Sequence, residues 1–455
     1  MHVTPLATRL QGIAPTIFTE MSALAVRTGS VNLGQGFPDE DGPPEVIAEA
    51  VRALEHGANQ YAPGPGVPAL RQAIARHQQR HYGLDLDPDR EVVVTTGCTE
   101  GVAAALLGLV NPGDELVVLE PYYDSYVAMI QMAGGVRRPV TLRAPDFRLD
   151  ADELRAAVTP RTRFVLLNSP HNPTGSVLSR EELQAVADVA LEHDLVVITD
   201  EVYEHLTYGD DHVPMATLPG MYERTLSLSS AGKSYSFTGW KVGWATGPAE
   251  LVGAVLAAKQ WMTFTSGSPL QPAVALALDE EPDFPRALAK DLQERRDLLV
   301  DGLRAAGLTA FLPQGTYFAT ASVHELGWRD SMAFCLALPE RAGVVAIPEQ
   351  VFYDDQTDPD GGRDLVRFAF CKTREVIADG APRLAAADLR ACRRNHASDS
   401  RLIGTAKVAG RCHGRPRRPR SRRAEGRQRQ WWAFACRRCM LQSARARGRR
   451  RRVGS

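Results

Sequence analysis

Two lysines eight positions apart, Lys233 and Lys241, stand in a run of small and hydroxylated residues: Ser229-Ser230-Ala231-Gly232-Lys233-Ser234-Tyr235-Ser236-Phe237-Thr238-Gly239-Trp240-Lys241. The run follows a short β-type segment, Thr225-Leu226-Ser227-Leu228. Its small residues let backbone approach a ligand closely. A lysine amine whose pKa is lowered by desolvation or by a neighbouring cation becomes a nucleophile that condenses with an aldehyde to a Schiff base. Here Lys233 can be that amine, Lys241 the second cation and Ser230 a hydroxyl facing an anionic ligand. A loop of solvated lysines has the same composition, so the run by itself leaves both readings open.

Other polar groups sit where strand-like runs end. Glu91-Val92-Val93-Val94-Thr95-Thr96 is followed by Gly97-Cys98-Thr99-Glu100-Gly101 and an Ala-rich helical pattern to about Val110. A strand, a glycine turn and a helix start in that order make an anion site from free backbone N–H groups and the helix dipole. Glu115-Leu116-Val117-Val118-Leu119 ends at Pro121-Tyr122-Tyr123-Asp124-Ser125-Tyr126. Arg163-Phe164-Val165-Leu166-Leu167 leads into Asn168-Ser169-Pro170-His171-Asn172-Pro173-Thr174-Gly175, where two prolines fix a turn that can aim Asn172 into a cleft. His171 reads as a structural neighbour. Leu195-Val196-Val197-Ile198-Thr199 ends at Asp200-Glu201-Val202-Tyr203, and ligands bind at the carboxyl ends of strands in parallel sheets.

Taken in order, Asn172, Asp200, Tyr203, Ser230, Lys233 and Lys241 resemble the Schiff-base lysine region of class I/II aminotransferases, enzymes of fold type I that use pyridoxal 5'-phosphate. Within that family the chain is most similar to the branch holding kynurenine and glutamine transaminases and actinobacterial N-succinyldiaminopimelate aminotransferases. The resemblance runs from about Ala14 to about Leu389. It implies an α/β fold: a large domain with a mostly parallel seven-stranded sheet plus a smaller α+β domain. It also implies transamination between an L-amino acid and a 2-oxo acid, with N-succinyldiaminopimelate, kynurenine, glutamine or methionine as candidate donors.

The resemblance assigns roles as well. Lys233 holds the cofactor and shuttles the proton, Asp200 keeps the pyridine nitrogen protonated, and Tyr203 and Asn172 contact the ring hydroxyl. Gly97, Cys98, Thr99, Ser230 and Lys241 face the phosphate, and Tyr123 stacks on the ring. Arg367, in Leu365-Val366-Arg367-Phe368, clamps the substrate carboxylate, which a guanidinium does bidentately. Gly36, in the turn Val31-Asn32-Leu33-Gly34-Gln35-Gly36-Phe37-Pro38, borders that carboxylate. Tyr61 crosses the interface of a homodimer to the cofactor phosphate of the second copy. Lys241 stands where the best-known aspartate aminotransferases carry arginine. A same-fold alternative is a cysteine-conjugate or other β-lyase.

The 455 residues suffice for more than one domain. The expected divisions are an N-terminal segment over 1–40, a cofactor-binding domain over 41–285, a small domain over 286–390 and a tail over 391–455. The net charge of -1 hides an asymmetry: the tail carries 21 Lys and Arg against 2 Asp and Glu, leaving 32 against 52 in the rest. Such a tail is expected to be disordered. It motivates a rival reading as a polyanion-binding protein, with nucleic acid a partner only through the tail. Cys436 and Cys439, with Cys412-His413 upstream, are a poor match to a zinc site, and no metal is expected in the active site. No apolar run is long enough to span a bilayer and no signal pattern opens the chain, so a cytoplasmic location is expected.

Overall fold

The computed structural model describes residues 6–391 except 14, 357, 359 and 360. The expectations for the basic tail concern residues outside these. The strands are β1 Val31–Asn32, β2 Val92–Thr95, β3 Glu115–Glu120, β4 Val136–Thr141, β5 Thr162–Asn168, β6 Val196–Asp200, β7 Thr225–Ser230, β8 Gly243–Thr246, β9 Thr309–Ala310, β10 Phe318–Ser322, β11 Val344–Val345, β12 Ile347–Pro348 and β13 Leu365–Ala369.

Seven of them form the central sheet in the order β2-β8-β7-β6-β5-β3-β4, and every pairing is parallel except those made by β8. The expected mostly parallel seven-stranded sheet is therefore present. Strands β2, β3, β7 and β8 are buried throughout, whereas β4 at the edge is largely open. Sheets covered on both faces need such continuous apolar and β-branched runs, and this is why the run Val92-Val93-Val94 reads without alternation. The helix Gly97–Leu109 packs against the helix Ala249–Lys259 and against β7 and β8, and its residues from Glu100 to Leu106 are buried. On the connection from β5 to β6, Ser179 opens the helix Arg180–Glu192 with a reciprocal capping box to Glu182, as the Ser-x-x-Glu spacing predicts.

The register sets the geometry at the carboxyl edge of this sheet. Asn168 at the end of β5 is paired with Asp200 at the end of β6, and Ser230 at the end of β7 is paired with Gly243 at the start of β8. Because β8 runs backwards, the residues that precede it, including Lys241, arrive at the same edge where the parallel strands end.

A second sheet, β12-β13-β10-β9, is antiparallel throughout. The helix Phe284–Ala305 packs against it and against the helix Arg374–Ala386. Strand β1 pairs in parallel with β11, and the Ala369 N–H donates to the Leu33 carbonyl at 2.6 Å, so the N-terminal segment is stitched to this second sheet. The sequence suggests that the closing helix is irregular at Gly380-Ala381-Pro382, yet Arg374–Ala386 runs through Pro382. The reason is packing: Ile377, Gly380, Ala381 and Leu384 form one buried stripe, and the local proline penalty is outweighed.

The two helices approach closely at Gly302, where an added Cβ would lie 2.5 Å from the Ala381 Cβ. Gly302→Val is therefore expected to destabilise the fold by about 1–3 kcal/mol through overpacking. Urea unfolding monitored by circular dichroism checks this; an unchanged midpoint would show that the helices can separate freely.

Candidate active site

A cavity of about 300 Å³ opens at the carboxyl edge of the central sheet, where the second sheet faces it. Twelve of the thirteen predicted site residues line it: Gly36, Gly97, Cys98, Thr99, Tyr123, Asn172, Asp200, Tyr203, Ser230, Lys233, Lys241 and Arg367. Tyr61 does not. It lies on the surface, 82% exposed, edge-on to Phe264 at 5.4 Å.

Lys233 sits in the short helix Ala231–Ser234 directly after β7. Its Nζ donates to the Tyr317 hydroxyl at 2.8 Å, and that hydroxyl donates to the Gly36 carbonyl at 2.7 Å. The amine also stands 5.6 and 5.4 Å from the ring centres of Tyr203 and Tyr317. Burial pulls its pKa down to about 8; the cations Lys241 and Arg367 act in the same direction, while Cys371 and Asp200 oppose it.

Asp200 ends β6 with its carboxylate buried. The Tyr126 hydroxyl donates to Oδ2 at 2.6 Å and the Val202 N–H to Oδ1 at 3.3 Å, and the Cys98 thiol also hydrogen-bonds it. Burial raises the Asp200 pKa and these three donors pull it back, Tyr126 most. Cys98 is thus engaged with Asp200 through its side chain, leaving only its backbone for an anion. The Asn168 amide donates to the Asp200 carbonyl at 2.8 Å while its oxygen accepts from the Asn172 N–H at 2.8 Å. One side chain thereby holds both the strand end and the proline turn. His171 keeps a structural place: its Nδ1 contacts the Thr174 hydroxyl at 2.8 Å, and burial pushes its pKa down to about 3.

Arg367 reaches the cavity from β13. Its guanidinium donates to Asn172 Oδ1 at 2.9 Å and to the Gly34 carbonyl at 3.1 Å, and lies 3.9 Å from the Phe318 ring centre and 4.9 Å from that of Phe18. Its Nε, fully buried, has no partner among the described residues. An unpaired buried donor is costly, and a guanidinium so placed is prepared for an anionic ligand.

The opposite end of the cavity is basic and backbone-lined. Gly97, at φ 70°, opens the helix Gly97–Leu109, and a Cβ there would fall 3.1 Å from Lys241 Nζ. Lys241 itself is held at φ 54°. Gly243 is needed for the approach, since its Cβ would meet the Cys98 nitrogen at 2.7 Å. A helix N-terminus, an ammonium and the Ser230 hydroxyl converge on space that any side chain at 97 would fill, which fits a phosphate. The donor set as a whole fits pyridoxal 5'-phosphate.

Sequence reasoning missed Tyr126, Asn168 and Tyr317. Tyr126 and Asn168 stand within motifs already singled out, but nothing in those motifs shows which hydroxyl or amide turns inward. Tyr317 is set by a clasp between distant turns: the Gly175 carbonyl accepts from the N–H groups of both Gln314 and Gly315 at 2.8 Å, and Thr316 takes φ 65°. A β-branched residue in that region of backbone space is uncommon and costs energy.

Known proteins share this chain's sequence and fold over most of its length. The model of the family described as Aminotransferase class I and II matches residues 28–381. Over 385 residues, 83% of this chain and 97% of the relative, there is 53% identity to a probable N-succinyldiaminopimelate aminotransferase of Mycobacterium tuberculosis. Over 377 residues, 83% of this chain and 97% of the relative, there is 39% identity to methionine aminotransferase of Escherichia coli. The solved structure of N-succinyldiaminopimelate aminotransferase from Mycobacterium tuberculosis superposes with a TM-score of 0.81 at 53% identity, covering 84% of this chain and 99% of that one.

A pKa near 8 for Lys233 makes its free-base form rise with pH through that value. The rate at which cofactor-free protein captures an aldehyde at this amine should therefore climb to about pH 8 and then level, as stopped-flow absorbance would record. A rate still climbing toward pH 10.5, the ordinary lysine value, would show that the amine is not perturbed.

Proposed function

This chain belongs to the class I and II aminotransferases, and from that premise we propose that it uses pyridoxal 5'-phosphate to move the amino group of N-succinyl-LL-diaminopimelate to a 2-oxo acid. That it is an aminotransferase follows from the family and from 53% identity over most of its length. The donor rests on the name of that relative. The observation that carries the chemistry is a buried amine lowered to about 8, Lys233, in one cavity with the carboxylate of Asp200 and the guanidinium of Arg367.

When bound, pyridoxal 5'-phosphate supplies an aldehyde that condenses with amines and a ring that withdraws electrons from the carbon beside the nitrogen. Lys233 Nζ would hold the cofactor covalently, and once released would carry the proton from the substrate's Cα. An amine with a pKa near 8 exists in both forms near neutral pH, so it can accept that proton and return it. The Asp200 carboxylate would keep a proton on the ring nitrogen, and the Tyr126 hydroxyl, by donating to it, favours its ionised form against burial. Tyr203 and Asn172 would hold the ring hydroxyl and Tyr123 would cover the ring face. Gly97, Cys98 and Thr99 through backbone N–H groups, with Ser230 and Lys241, would bind the phosphate. Arg367 would bind the substrate carboxylate beside Gly36, its aromatic neighbours excluding water and so strengthening the pairing.

We also assign the active protein as a homodimer, with residues 1–40 and 286–390 as the small domain and 41–285 as the large one. The pairing of β1 with β11 supports this grouping. Tyr61 supports the dimer, because it is exposed beside Phe264, in a stretch where Trp261 is 85% exposed and Met262 is exposed as well. An exposed cluster of this kind marks a contact surface.

Two measurements test these assignments. Purified protein should be yellow and borohydride should fix the cofactor on the peptide carrying Lys233; Lys233→Ala should lose the adduct and transamination together. Among donors, N-succinyl-LL-diaminopimelate should give a kcat/KM at least about tenfold above kynurenine, glutamine and methionine, a preference of about 1.4 kcal/mol. A higher kcat/KM for one of the other three would reassign the donor while leaving the enzyme class intact.

For the dimer, Tyr61→Asp is expected to weaken self-association and the retention of cofactor together. Sedimentation velocity in parallel with cofactor absorbance gives both values. A fully active, cofactor-loaded monomer would remove Tyr61 from the site.

A further inference from the structure

We propose that His77, His81 and His205 form a binding site for a first-row divalent transition metal, zinc foremost, separate from the cofactor cavity. One ring nitrogen from each lies within 4.8 Å of the others, and the Nε2 atoms of His77 and His205 are 2.7 Å apart. The ring centres are equally close, 4.6 Å for His77 and His81, 4.9 Å for His77 and His205 and 4.8 Å for His81 and His205. None of the three lines the cavity described above.

The placement is built by the fold. His77 and His81 are four apart on the helix Pro68–Tyr82, so they project from one face. His205 comes from the segment that follows β6, five residues beyond Asp200. His77 is buried, His205 half-buried and His81 exposed, so an ion can enter from solvent past His81. Zinc–imidazole bonds of about 2.0–2.1 Å at a tetrahedral ion set ligand nitrogens about 3.3 Å apart. Reaching that geometry from a 2.7 Å contact needs only a small opening of the pair.

The donor chemistry narrows the class of ion. Three neutral imidazoles suit zinc, copper, nickel or cobalt and not magnesium or calcium, which take oxygen ligands. Three histidines also leave a fourth position for water. Nearby charge is mixed: Arg80 and Arg286 oppose a dication, and the buried Glu204 carboxylate, which accepts from the Tyr82 hydroxyl at 2.6 Å, favours one. A bound ion would tie the helix Pro68–Tyr82 to the segment that carries Glu201, Tyr203 and Glu204, stabilising the folded chain by mass action.

The test uses the untagged, cofactor-loaded full chain, because Cys412, His413, Cys436 and Cys439 elsewhere in the sequence also have metal-binding side chains. After chelator treatment, zinc chloride is titrated by calorimetry and the thermal midpoint is read with and without zinc. The expected result is one equivalent per chain whose affinity falls at least about tenfold in His81→Ala, because losing even an outer hydrogen-bond partner of a ligand costs about 10–100-fold and a ligand itself no less. The zinc-dependent rise in midpoint should vanish in the same variant. X-ray absorption at the zinc edge should show nitrogen and oxygen neighbours without sulfur. His81 is exposed, so the variant should fold, and its unchanged turnover without zinc verifies that. Equal zinc uptake by both proteins, sulfur at the ion or no uptake at all would each overturn the proposal.

Discussion

A carboxylate taken out of water at the end of a parallel strand is the constraint on which the rest of the site depends. Asp200 is buried, and burial raises its pKa, favouring the neutral form. Three donors from three different elements oppose that shift: Tyr126 from the helix after β3, the Val202 N–H from its own turn, and Cys98 from the helix after β2. Each of those donors is itself positioned by the sheet register. A charge held this way requires the surrounding elements to stay in place, because loosening any of them leaves a buried carboxylate short of a partner, which is costly.

The same balance governs the cations. Lys233, Lys241 and Arg367 share one cavity with Asp200, and their mutual repulsion adds to burial in lowering the Lys233 amine. Arg367 is partly satisfied by Asn172 and by the Gly34 carbonyl and is wrapped in aromatic rings. The buried Glu349, pushed up to about 7 by burial, is a further neighbour of the guanidinium. A site that holds three cations against so few anions is poised to receive anionic groups, and both ends of the cavity, the glycine-lined one and the arginine one, offer donors for them.

Connectivity explains how residues so far apart in sequence meet. The parallel strands deliver Asn168, Asp200 and Ser230 to one edge, and the reversed strand β8 brings Lys241 there as well. The second sheet brings Arg367 and, through the clasp at Gly175, Tyr317. Small residues make the approaches possible where backbones touch: Gly243 against Cys98, Gly302 against Ala381, and Gly315 against Pro170, where a Cβ would lie 2.8 Å from the proline Cβ.

The sequence by itself marked the strands β2, β3, β5 and β6 as apolar or β-branched runs, which are local features of strands buried on both faces. The count of seven came from the family resemblance, and the edge strand β4, Val136-Arg137-Arg138-Pro139-Val140-Thr141, carries no such run. The sequence also marked candidate site residues, because Gly97, Asn172, Asp200, Ser230 and Lys233 stand where strands end in glycine or proline turns and strand ends in a parallel sheet converge, while their roles came from the family resemblance. What only the tertiary structure decided are contacts that join different elements. Tyr126 on Asp200, Tyr317 on Lys233, the Asn168 bridge and the three-histidine cluster have no local signature, since their geometry comes from register and packing between segments distant in sequence. The proline in the closing helix shows the reverse case: local propensity argued for irregularity at Gly380-Ala381-Pro382, and a buried stripe packed on a distant helix overrode it.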